Sequence, residues 1–146
     1  MLAELSKWNA GTGIPLNQWI GCMGNFRLAV GYSTVFWPCF EKFEDYIFLE
    51  NRAGDLEHLR QWERKLAGDK SAIERVVNHV HIRDIQHSGC EDITGERVIY
   101  LGRILREIYE AKLRWQFPDD RFKVAFYEPP DRNDLTDYQL TFWKER

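Results

Sequence analysis

The chain has no run approaching the roughly 20 apolar residues of a membrane-spanning helix, which disfavours a membrane role. Its opening residues, Met1 to Gly11, carry Glu4, Lys7 and Trp8 in place of a basic segment followed by an apolar one, so they do not read as a secretory leader. Cysteine is scarce. Cys22, Cys39 and Cys90 are odd in number and widely spaced, which argues against a disulfide framework and for reduced thiols in the cytoplasm. The balance of charge is −3 and the pI about 5.8, so there is no cationic field to draw a phosphate backbone and nucleic acid is not an expected partner.

Catalytic signatures are missing as well. No GxSxG, kinase or deaminase pattern occurs. Gly11 and Gly13 form a lone GxG without a preceding strand, and Gly68-Asp69-Lys70-Ser71 lacks the first glycine of a phosphate-binding loop. No cofactor is therefore expected.

What is present is a well-patterned chain of 146 residues, 44% hydrophobic and 29% charged, with six Trp, six Tyr and nine Phe. That length suits a single globular domain over residues 1–146, burying roughly 70% of the surface of the unfolded chain. Pro15 predicts the start of a first helix through Trp19, Ile20, Met23, Phe26, Leu28 and Val30, interrupted by Gly21 and Gly24, whose spacing suits close approach of another helix. Pro38 ends it, and the apolar run Tyr46 to Leu49 reads as a strand placed centrally in a small sheet. Asp55 caps a second helix with the stripe Leu56, Leu59, Trp62 and Leu66, stopped at Gly68.

Ser71 and Glu74 have the spacing of a capping box ahead of a third helix carrying Ile73, Val76, Val77, Val80 and Ile85. The fourth and longest helix runs from Thr94 to Gln116 on Val98, Leu101, Ile104, Leu105, Ile108 and Leu113. After Pro118 the period becomes two. Phe122, Val124 and Phe126, then Tyr138, Leu140 and Phe142, predict two antiparallel strands joined by a long loop from Glu128 to Asp137. The predicted fold is α+β, about four helices packed on one face of a small, mostly antiparallel three-stranded sheet.

Two groups of residues bear on function. His79, His81, Asp84, His87 and Cys90 are metal-ligand types, and His81, Asp84 and His87 at i, i+3 and i+6 would line one side of the third helix. One straight helix cannot close a tetrahedron around an ion, so no metal is expected there. The second group is a surface. Glu41, Glu44, Asp45, Glu50, Asp55 and Glu57 stand against Lys42 and Arg52, a local balance of −4, beside Phe36, Trp37, Phe40, Phe43 and Tyr46.

Aromatic anchors inside a charged rim have the composition of a protein interface, although buried rings beneath solubilising acids would give the same pattern. The expected function is a small cytoplasmic protein-binding module of inhibitor or immunity type, contacting a protein with a basic surface through Trp37, Glu41, Glu44 and Asp45. The alternative is a small enzyme or ligand-binding domain built on the histidine-rich third helix and a pocket under the Glu128 to Asp137 loop.

Overall fold

A computed structural model describes residues 3–52 and 56–146. The chain divides into two compact units, one ending at Val35 and the other running from Phe36 to Arg146. In the first, a 3-10 helix, Ala3–Lys7, is followed by α1, Leu16–Met23, and α2, Phe26–Phe36. The single interrupted helix of the sequence is thus two. Gly24 is extended, at φ −77° and ψ 163°, and its N–H closes α1 on the Ile20 carbonyl at 2.8 Å. Asn25 Oδ1 then accepts from Leu28 N at 3.0 Å and opens α2. The expected close helix approach at Gly21 is not there: among the described residues nothing lies within 4 Å of a Cβ built at that position.

The second unit carries the α+β architecture that the patterning predicts. β1, Phe40–Phe43, and β2, Tyr46–Leu49, form an antiparallel hairpin closed by Glu44 and Asp45. Glu44 takes a left-handed φ of 53°, which costs a non-glycine residue roughly 1–2 kcal/mol. The Tyr46 run is therefore buried in a separate two-stranded ladder and not in the main sheet. α3, Leu56–Lys65, follows; the expected cap, Asp55, lies outside the described residues. Gly68, at φ 76°, bonds back to Glu63 O at 2.9 Å and stops the helical path where expected.

α4, Lys70–Val77, is capped by Asp69, whose side chain accepts from Ala72 N at 3.0 Å, so the Ser71 capping box is not formed. Ser71 Oγ instead donates to Lys144 O at 2.9 Å, and Glu74 is occupied elsewhere. The helix ends at Asn78, short of Val80 and Ile85. β3, Val80–His81, leaves it to pair with β5, and a 3-10 turn, Ile82–Ile85, comes next.

α5, Gly95–Gln116, matches the predicted longest helix, with Thr94 Oγ1 accepting from Arg97 N at 3.3 Å. It lies along β4, Phe122–Tyr127, and β5, Gln139–Lys144. The sheet order is β3-β5-β4, antiparallel throughout. Gly102 lets the Phe126 ring approach α5, since a Cβ at that position would fall 2.1 Å from the ring.

Two fully buried polar residues, Glu74 in α4 and its C-cap Asn78, join the hairpin to the sheet. Glu74 Oε1 accepts from Ile47 N at 2.8 Å and Oε2 from Lys144 N at 2.8 Å. Arg146 closes on the same carboxylate with Nη1 at 2.9 Å and Nη2 at 3.0 Å. Asn78 donates from Nδ2 to Ile47 O at 2.9 Å and Phe142 O at 3.3 Å, and its Oδ1 accepts from Leu49 N at 3.0 Å. The outward amides of β2, unmatched in a two-stranded ladder, are thereby satisfied. Apolar packing surrounds these bonds. Tyr46, Phe48, Leu59 and Ile73 form one buried cluster, and Phe40 makes edge contacts with Tyr109 and Phe142 at 5.5 and 4.9 Å.

Candidate functional site

Of the rings beside the acidic stretch, Phe40 and Tyr46 belong to the core, whereas Trp37 is 56% exposed. α2 ends at Phe36, ahead of Pro38, and Trp37 meets Trp115 from the last turn of α5 with ring centroids 5.9 Å apart. Lys112, one turn earlier on α5 and only 7% exposed, places Nζ 4.8 Å from the Trp37 ring and 4.2 Å from the Trp115 ring. Trp115 is itself 68% exposed. Two indoles are thus held around one ammonium with their outer faces in solvent.

Trp115 and Lys112 were not legible as site residues. Trp115, seven residues after Ile108, continues the apolar stripe of α5 in the sequence and so reads as a core residue, which hides its exposure.

The acids divide. Glu41 is exposed on β1 and, among the described residues, enters no ion pair. Glu44 pairs with Arg60, which also binds Glu63 at 2.8 Å, and Glu63 Oε1 accepts from Tyr46 Oη at 2.8 Å. Asp45 binds Lys70 Nζ at 2.7 Å, and this hydrogen bond and charge hold its carboxyl below the usual range. Glu44 and Asp45 sit at the closed end of the hairpin and Trp37 precedes its open end. The four-residue strand between spans about 13 Å at roughly 3.3 Å per residue. Glu44 and Asp45 are thus engaged by Arg60, Lys70 and Arg146, whereas Glu41 lies in β1 four residues after Trp37.

The histidines do not share a helix face. His81 lies in β3, Asp84 in the 3-10 turn and His87 in the loop beyond, because α4 stops at the C-cap Asn78. His81 and Asp84 line an open depression of about 520 Å³ together with Asp134, Thr136 and Asp137; His87 is not among its walls. Asp134, Thr136 and Asp137 belong to the Glu128 to Asp137 loop. His81 Nδ1 is 2.8 Å from Thr136 O, and His79 Nδ1 is 2.6 Å from Val76 O, so both rings are tied to backbone. Among the described residues no group of three or more His, Cys, Asp or Glu side chains is arranged to hold a metal ion. Cys90 donates to Asp92 Oδ1 at 2.8 Å, and that bond pushes the thiol pKa up, away from the thiolate a nucleophile requires.

No family model matches the chain, and it matches no curated protein and no solved structure.

Proposed function

We propose that the protein is a small protein-binding module whose contact surface is the Trp37–Trp115 pair, with Glu41 on its rim. One observation carries this reading: two tryptophans, each more than half exposed, are fixed 5.9 Å apart by a nearly buried lysine. Exposing indole to water is unfavourable by about 25 cal/mol per Å², and such rings at the centre of an interface supply most of its affinity. Lys112 preorganises them, which lowers the entropy lost on binding.

The partner is a protein with a basic surface, steered by the exposed Glu41 and by the net charge of −3. Small size, acidity and dispersed free cysteines suit an inhibitor or immunity protein acting in the cytoplasm. Binding kinetics against the partner recovered from the native host test this. Trp37→Ala should speed dissociation and Glu41→Lys should slow association in a salt-dependent way, whereas unchanged constants for both variants would remove the surface from consideration.

A further inference from the structure

Between Lys7 and Glu41 the chain carries a single charged residue, Arg27, in a protein otherwise rich in charge. This stretch contains α1 and α2, and no residue of either helix is buried. Every residue from Ile20 to Gly31 is exposed, including Ile20 at 60%, Phe26 at 90% and Val30 at 69%. At 3.6 residues per turn, Phe26 to Gly31 passes through all directions around the α2 axis, so the exposure is not one stripe. Leu16, Trp19, Tyr32, Val35 and Phe36 are half-buried, but helices of 8 and 11 residues without a buried residue are marginal in water, and exposed apolar side chains on several sides of α2 call for a medium that surrounds them.

We infer that α1 and α2 insert into the apolar layer of a lipid bilayer as a membrane-surface anchor, a role beyond the protein binding proposed for Trp37 and Trp115. A protein partner covers one face of a helix; lipid covers all of them. The near absence of charge over residues 8–40 removes the main cost of burial in lipid, and Trp8, Trp19 and Tyr32 supply rings of the kind that settle at the headgroup level. The anchor lies in one leaflet. At 1.5 Å per residue the helices extend about 12 and 16 Å, against a hydrocarbon core of about 30 Å, and no described helix is long and apolar enough to cross. The composition that disfavours spanning therefore leaves insertion open.

The test is flotation of the full chain with vesicles of pure phosphatidylcholine and of phosphatidylcholine with phosphatidylserine, at 0.1 and 1 M salt. Binding to both kinds, insensitive to salt because one arginine contributes little attraction, is the expected result. The double variant Phe26→Asp, Val30→Asp should bind about tenfold less or weaker still while melting at the wild-type temperature, since neither side chain is packed in the protein. Failure to float on any vesicle overturns the inference, and so does binding confined to anionic vesicles at low salt. A large fall in melting temperature of the variant overturns it by showing the side chains packed internally. A lipid-free dimer that the variant turns into monomer overturns it by showing a second copy on this surface.

Discussion

Glu74→Ala should be among the most damaging single changes in the protein. The carboxylate is fully buried and accepts from two backbone amides, Ile47 N and Lys144 N, and from both terminal nitrogens of Arg146. Truncation leaves two amides without acceptors, at roughly 1–3 kcal/mol each, and an arginine head without its counter-charge. Breaking a buried pair by removing one member costs about 3–5 kcal/mol, which agrees with the sum over the amides. A loss of about 4 kcal/mol corresponds to a fall in melting temperature of roughly 10–20 °C for a protein of this size.

Urea unfolding followed by tryptophan fluorescence measures the change. Glu74→Gln should fall between wild type and alanine, because an amide accepts on one side only and turns its NH2 toward the donors on the other. Arg146→Ala should cost less than Glu74→Ala, since the carboxylate keeps its two backbone bonds, and the double variant should show a coupling of about 0.5–3 kcal/mol. A loss below about 1 kcal/mol for Glu74→Ala would refute the claim that this carboxylate joins the hairpin to the sheet.

Gly102→Ala should destabilise by roughly 1–3 kcal/mol although alanine is the better helix former, because its Cβ meets the Phe126 ring at 2.1 Å; adding Phe126→Leu should recover most of the loss, and stabilisation by the single change would contradict the packing. Leu105→Ala, in the buried face of α5, should cost about 2–5 kcal/mol by chemical denaturation, and a change under about 0.5 kcal/mol would mean that another face is buried. Asp45, held low by Lys70, and Glu63, held low by Arg60 and Tyr46, contribute stability above an unfolded-state pKa of about 4, and this is lost as pH falls through their depressed values. Melting temperature should therefore drop from pH 5 to pH 2, less steeply in Asp45→Asn, and an identical slope in the variant would contradict the assignment. Tyr46 and Tyr109, each pushed up to about 12 chiefly by burial, act in the opposite sense: their contribution is complete below pH 10 and lost as pH rises through 12.

The parts of the fold visible in the sequence are those in which one short-range rule acts alone. α5 combines a sustained apolar stripe with the Thr94 cap, and β4 and β5 alternate cleanly over six residues each. The hairpin was hidden because its turn uses Glu44 at positive φ, without glycine or asparagine, and because Glu41 and Lys42 both face solvent on β1. β3 is two residues long and takes its pairing from β5, a long-range contact. Ser71 and Glu74 satisfy the spacing of a capping box, yet Asp69 stands one residue before α4 and wins the cap, while Glu74 is drawn inward by amides 27 and 70 residues away.

The candidate site shows the same limit. Trp37 is legible as an aromatic beside acids, but its partner Trp115 arrives from the far end of α5, and ion pairs with Arg60 and Lys70 withdraw Glu44 and Asp45.

Binding of a basic protein by the Trp37–Trp115 patch is measured most directly by quantitative recovery of partners from the native host on three baits: wild type, Trp37→Ala with Trp115→Ala, and the charge reversal of Glu44 and Asp45 at the ion-paired turn, each confirmed as folded by circular dichroism. One basic protein should be captured stoichiometrically by wild type, lost on the tryptophan double variant and retained on a folded turn variant. Equal capture by wild type and the tryptophan variant would contradict binding by this patch.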